Sequence, residues 1–166
     1  MRKIIVAILL LTAVVSCVSI DCPVKNQVEV NYVLKKPSGG PDTLKSDTLS
    51  AWIHRIHYTD HQDSVRLNRL CGNKATSFSI SISYTLPEDS IFTLLKNTKG
   101  DKWLDTICIK KENYPHFESV DCKASYFHTI TEVKTTHHGI DSITIQNREV
   151  NYDSSENLFL YLKANR

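Results

Sequence analysis

Only five glycines are spread over the 166 residues, and none sits in a loop that could cradle phosphates. The patterns G-x-S-x-G, H-E-x-x-H and S-x-x-K are missing as well. These absences remove the linear signatures of nucleotide, serine-hydrolase and zinc-peptidase chemistry. An enzyme would need a site assembled from scattered loop residues, so the expectation is a non-enzymatic protein with no cofactor. Charge of one sign is also lacking. The 20 Lys and Arg against 18 Asp and Glu include Arg2 and Lys3, and without those two the remainder carries 18 of each. With no basic patch or cationic run there is no electrostatic footprint for nucleic acid, which is excluded as a partner. Beyond Val15 no apolar run approaches the roughly twenty residues that a membrane-spanning helix needs. No fixed-period repeat or low-complexity tract divides the chain, whose length suits one domain.

What is present starts at the amino terminus. "MRKIIVAILLLTAVVS" has two cations followed by an apolar or small run from Ile4 to Val15, the pattern of a secretory signal over residues 1–16. "VVSC" then places Ser16 before Cys17, which resembles the lipobox of bacterial lipoproteins. The resemblance implies a thiol of Cys17 that carries diacylglycerol and a chain cut just before it. Several acyl chains hold a protein at a membrane, whereas one is marginal. The expected product is a tether at residues 17–25 and a domain at 26–166. The plainer alternative is a secretory signal with Cys17 free or disulfide-bonded. Cys22, Cys71, Cys108 and Cys122 remain, an even number suited to two disulfides in an oxidising compartment. None has zinc-finger spacing.

Hydrophobicity alternates with period two. In "SFSISISYTL" the residues Phe78, Ile80, Ile82 and Tyr84 share one face and serines take the other, as a half-buried strand requires. "QVEVNYVL", "TLSAWIHRIHY", "SVRLNRL", "WLDTICIKK", "SYFHTITEVKT", "DSITIQNREV" and "NLFLYLK" behave similarly, while "SIFTLLKN" fits a strand or one short helix. The expectation is an all-β fold, a single antiparallel β-sandwich or partly open barrel of about eight or nine strands.

The histidines invite a metal reading. "AWIHRIHYTDHQDSV" sets His54, His57 and His61 beside Asp60 and Asp63. On a strand, however, His54 and His57 point to opposite faces, and Trp52, Ile53, Ile56 and Tyr58 favour a strand. No metal site is expected there, nor at His137 and His138, which precede a glycine in a connection between strands. His116 and His128 are isolated. Trp52 and Trp103 could form a stacking platform for a ligand, although core packing is the commoner fate of a strand tryptophan.

One tripeptide recurs: Asp, then Ser or Thr, then a large aliphatic residue. It begins at Asp42, Asp47, Asp63, Asp89, Asp105 and Asp141, where composition alone predicts about one match. An Asp that ends a turn before a β-favouring residue accounts for the pattern structurally. It also resembles the acceptor motif for periplasmic O-glycosylation in Bacteroides and its relatives. That resemblance nominates Thr43, Thr48, Ser64, Ser90, Thr106 and Ser142.

The lipobox, "SIDCP", "DTLSAWIHRI", "DSVRLNRL", "FSISI", "LDTICIKKENYPHFESVDC" and "ITEVKTTHHGIDSITIQNREVN" together resemble a family of uncharacterised lipoproteins from Bacteroides and relatives. The resemblance implies a small β-rich envelope lipoprotein with no assigned activity. It also implies a Cys22–Cys122 disulfide, which leaves Cys71 and Cys108 as the second pair. Cys122-Lys123 departs from that family's usual Cys-Gly. Surface-exported lipoproteins of these bacteria carry several acids after the lipidated cysteine, and "CVSID" has one, which favours an outer-membrane location facing the periplasm. Two functions are expected from different classes. The first is an interaction module or accessory subunit bound to an envelope protein through an edge strand or loop. The alternative is a small-molecule- or glycan-binding accessory lipoprotein.

Overall fold

Alternation in the sequence becomes alternation in burial. Along β5 (Glu88–Lys96) the residues Asp89, Ile91, Thr93 and Leu95 are buried while their neighbours stay half-buried or exposed. The structure, a computed structural model, describes Cys22 and residues 28–44, 46–56, 62–71 and 76–164, and of 54–71 only the backbone. The other strands are β1 (Glu29–Lys35), β2 (Thr48–Ile56), β3 (Gln62–Cys71), β4 (Ser77–Ser81), β6 (Lys102–His116), β7 (Ser125–Thr135), β8 (Ile140–Ile145), β9 (Glu149–Val150) and β10 (Leu158–Leu162). They form a four-stranded sheet, β4-β1-β10-β8, and a six-stranded sheet, β3-β2-β5-β6-β7-β9. No helix occurs among the described residues. The all-β sandwich is therefore the fold.

The inner faces of both sheets supply one core. Val30, Tyr32, Leu34, Ile80, Leu158 and Leu160 come from the smaller sheet, and Leu49, Ile53, Ile91, Ile107, Ile109 and Ile130 from the larger. Tyr32 stacks flat on Phe78 with ring centroids 4.6 Å apart. Each buried aliphatic side chain contributes about 1.5–3 kcal/mol on leaving water.

Four details differ from expectation. The described residues form ten strands because "DSITIQNREV" breaks into β8 and β9, the N–H groups of Gln146 and Asn147 turning to the Asn157 carbonyl. β1 and β10 pair in parallel, the one exception to antiparallel pairing among the described strands. Tyr84 leaves the core face: β4 ends at Ser81, the Ser83 hydroxyl accepts from the N–H groups of Thr85 and Leu86, and Tyr84 stacks on Tyr126 instead. Finally, Cys22 and Cys122 form a disulfide, but Cys108 is a free thiol and makes no bond to Cys71. The register explains this. Cys71 lies opposite Thr48, which aligns with Lys96 and Lys102, so Cys108 is three strands away and six residues further along. That is roughly 14 Å across and 20 Å along, against about 7 Å at most for a disulfide.

The chain passes repeatedly from one sheet to the other, and a buried polar side chain ties down three of these crossings. Asp89 accepts the Ser83 N–H in the β4–β5 crossing (3.0 Å). Asp105 gathers the β7–β8 crossing. Asn157 holds the β9–β10 crossing, accepting from Asn31 N–H and donating to the Glu149 carbonyl. Two of these belong to the recurring tripeptide, in which Asp and the aliphatic residue two places on share the inner face. The turn-ending role expected of these Asp residues does not fit Asp105, which sits within β6 and binds backbone more than thirty residues away.

Candidate functional site

Registers of β2, β5, β6 and β7 lay out the outer face of the larger sheet in rows. Ser50, Leu94 and Leu104 are side by side; the next row is Trp52, Phe92 and Thr106; then come Ser90, Cys108 and Lys134; then Glu88, Lys110 and Glu132. The first two rows are mostly apolar. Leu104 is 53 % exposed, and Trp52 stacks on Phe92 with centroids 6.0 Å apart. Hydrophobic side chains grouped on one sheet face mark contact surfaces more often than isolated ones do. The last two rows are polar: Glu132 bridges Lys110 (2.8 Å) and Lys134 (2.6 Å), whose hydrogen bonds, Lys110's first, and then charges hold its carboxyl below the usual range.

Further along, the same face ends in an aromatic cluster. Phe127 lies flat on His116 at 4.3 Å and meets the edges of Tyr114 and Tyr152. Tyr114 and Thr129 donate to Glu149, and the Tyr152 hydroxyl donates to Ser125. Ring packs on ring here, so the cluster closes the face rather than leaving a slot for a ligand. A shallow cleft lies beside it between Val28, Glu29, Asn31 and residues 151–154. The Asn31 side chain inside it already donates to Ser155 O and accepts from Ser79.

Beneath this end, on the inner face, lies a group of charges absent from the sequence reading. Lys111 Nζ contacts Asp89 Oδ2 at 2.8 Å, with side chains 0 % and 4 % exposed, and donates to Leu86 O at 2.5 Å. Asn113 donates to that same carbonyl (2.9 Å), and its Oδ1 is 2.7 Å from His128 Nδ1. With that oxygen as acceptor, the proton belongs on Nδ1 of His128. Burial first, and then the charge of Lys111, lower the pKa of His128 to about 4. The Tyr32 hydroxyl is buried without a hydrogen-bond partner among the described residues; burial and then Asp89 push its ionisation well up. Asp89, Lys111 and His128 are almost wholly enclosed, so substrate cannot reach them from solvent. The group's chemistry is internal: it neutralises two charges and holds the β4–β5 crossing. Strand parity was the available signal, because Ile107, Ile109 and Lys111 share a face, as do Asp89 and Ile91.

His128 makes stability depend on pH. The folded state keeps it neutral to about pH 4, whereas the unfolded chain takes up the proton near pH 6.5. The unfolded state thus binds more protons within that window, and stability falls as the pH drops through it. A loss of about 3 kcal/mol is expected. Urea unfolding at pH 7 and pH 4.5 should show this in the parent and not in His128→Gln; equal pH dependence in the two would refute the assignment.

The remaining sequence candidates are scattered. Trp52 lies on the outer face, whereas Trp103 packs against the core from the inner face, next to Gly139, so the two form no shared platform. His137 and His138 stand in the exposed β7–β8 connection, where His137 has φ 60° and the His138 backbone serves Asp105. His54 lies in β2 opposite Ser64, and Asp63 opposite Arg55; their side chains, and the whole of His57, Asp60 and His61, fall outside the described residues. Among the described residues no three His, Cys, Asp or Glu side chains converge as a metal site. Thr43, Thr48, Ser90, Thr106 and Ser142 are half-buried, while the side chain of Ser64 is outside the described set. Cys17 also lies outside it.

Comparison with known families gives a match to the Family of unknown function (DUF6452) over residues 48–162, well over half of the chain. The chain belongs to the DUF6452 family. No curated protein matches, and neither does any solved structure. The DUF6452 match includes β2 to β10, hence the apolar rows, the Asp89–Lys111–His128 group and Cys122. It begins after β1, which nevertheless lies in the middle of the smaller sheet between β4 and β10.

Proposed function

We propose that this DUF6452 protein is a cell-envelope lipoprotein of the kind found in Bacteroides and relatives. It is anchored by lipid on Cys17, at the outer membrane facing the periplasm, and its sandwich is a non-enzymatic interaction module bound to an envelope protein. The leader and "VVSC" support the anchor. The apolar rows of the larger sheet carry the interaction reading: Leu94, Leu104 and the Trp52–Phe92 stack form a continuous strip, set apart from the aromatic cluster at the far end of the face by two polar rows. An envelope subunit with a complementary apolar surface would cover that strip and leave the Lys110–Glu132–Lys134 group at its polar rim.

Crosslinking in intact cells, followed by membrane extraction and identification of what co-purifies, tests this reading. One reproducible envelope protein is expected, and it should be lost in Leu104→Asp, whose exposed position leaves the core intact. No partner in either form would sink the reading. Peptide masses from the same preparation read the acyl groups on Cys17 and any glycan on Thr43, Thr48, Ser64, Ser90, Thr106 or Ser142.

The alternative, a glycan- or small-molecule-binding accessory, rests on Trp52 alone, because Trp103 faces the other way.

A further inference from the structure

The loop between β6 and β7 combines three features that no part of the core requires. Phe117 is 62 % exposed and Val120 is 98 % exposed, the most open large apolar residue described. Val120 occupies a turn in which Cys122 N–H bonds Ser119 O and Asp121 N–H bonds the Ser119 hydroxyl. Turn positions favour Gly, Pro, Asn, Asp and Ser, so a bare valine at the tip has no local structural reason. The third feature is covalent. Cys122, in the same turn, is disulfide-bonded to Cys22 with Cα atoms 5.4 Å apart, and Cys22 follows Cys17 by five residues.

We infer that Phe117 and Val120 form a membrane-contact tip, held against the bilayer surface by the Cys22–Cys122 disulfide. The inference rests on acylation of Cys17 as proposed above. Five residues span at most about 17 Å, and the disulfide adds its own short link, so this loop cannot leave the neighbourhood of the anchor. Apolar side chains in that zone settle into the interface between headgroups and acyl chains. Tyr152, 43 % exposed and edge-on to His116 at the base of the loop, is a residue type favoured at that depth. Glu118, Asp121 and Lys123 are exposed around the tip and give it no cationic excess, so contact depends on apolar burial rather than on anionic lipid. The consequence is an orientation. The loop lies at the bilayer, and the β5–β6 hairpin at Asn97–Asp101 lies at the other end of the fifteen-residue β6, about 45 Å away for an extended strand. Leu94 and Leu104, close to that hairpin, then face away from the membrane, where an envelope partner can reach them.

Photocrosslinking in membranes containing the full processed chain tests the inference. Benzoylphenylalanine replaces Phe117, Val120 or, as the distant control, Lys99. Lipid adducts about tenfold more abundant at 117 and 120 than at 99 are expected. Insertion of about fifteen Gly and Ser residues between Ser19 and Ile20 should lower them several-fold by widening the volume explored. Peptide mass spectrometry on the same samples reads Cys17. Acylated Cys17 with no excess of lipid adducts at 117 and 120, or with protein adducts there instead, overturns the inference and leaves the anchor standing. Unacylated Cys17 overturns both.

Discussion

Replacing Asp105 with alanine should destabilise the protein by about 4 kcal/mol. The carboxylate accepts from the backbone N–H groups of His138 (2.5 Å), Gly139 (2.7 Å) and Ile140 (2.9 Å), and from the Thr136 hydroxyl (3.0 Å). These groups make up the turn in which the chain leaves the larger sheet and enters β8. Alanine would leave their donors facing an empty acceptor position. Each buried donor without a partner costs about 1–3 kcal/mol, and water can rescue the more exposed ones, which sets the total. Gly139 cannot shift inward to compensate, since even a Cβ there would stand 2.8 Å from Trp103 Cβ. The pH dependence identifies the cause. Desolvation raises the pKa of Asp105, but the bonds from His138, Ile140, Gly139 and Thr136 outweigh it and hold the acid below its ordinary value. A carboxyl with a depressed folded-state pKa contributes stability above its unfolded pKa of about 3.9, and that contribution disappears as the pH falls further. Asp105→Asn should therefore be less stable at pH 7 yet lose less between pH 4 and pH 2. Urea unfolding at both ends decides, and a loss below about 1 kcal/mol in Asp105→Ala would count against the anchor.

Asp105 also marks where sequence reading succeeds and where it stops. The run "SYFHTITEVKT" matches the bounds of β7, Ser125–Thr135, although only Ser125, His128 and Ile130 are buried along it. "SIFTLLKN" resolves as the strand β5 because its neighbours β2 and β6 supply pairing on both sides. Alternation also puts Asp89, Asp105 and Lys111 on the inner face, but their charge argues for solvent. Only the partners settle the conflict, and these come from elsewhere in the chain: Lys111 for Asp89, residues 138–140 for Asp105. The same holds for the bulge in β7. Lys110 pairs with Glu132 but Lys111 with Ile130, leaving Thr131 over, and Arg148 from the β8–β9 connection covers the carbonyls of Ile130 and Thr131. The apolar strip was legible residue by residue and invisible as a strip, since it exists only once β2, β5 and β6 are in register. Cys108 fails for the same reason: counting cysteines pairs it, whereas the register places it far from Cys71.

Lys111→Met is expected to cost about 4 kcal/mol, and Asp89→Asn somewhat less. Each change leaves a buried partner without its counter-charge, the situation in which breaking an enclosed ion pair costs about 3–5 kcal/mol. In Lys111→Met the Asp89 carboxylate keeps the Ser83 N–H but loses its cation, and the Leu86 carbonyl keeps only Asn113. Asp89→Asn strands the ammonium, whose other fixed acceptor is that same carbonyl. Combining the two removes both charges together. The double variant should therefore be only slightly less stable than the worse single one, with a coupling of about 2 kcal/mol or more in the double-mutant cycle. Additive losses would mean that the two charges act independently, and the pair would not be what holds the β4–β5 crossing. His128 reports on the same pair without any unfolding. Lys111 is the second cause, after burial, of its lowered pKa, so Lys111→Met should raise the midpoint of the His128 imidazole resonances from about 4 towards 6.5, still short of it because burial remains. An unchanged midpoint would show that the charge of Lys111 is not felt at His128, whereas a midpoint reaching 6.5 would show that the inner face has opened to water.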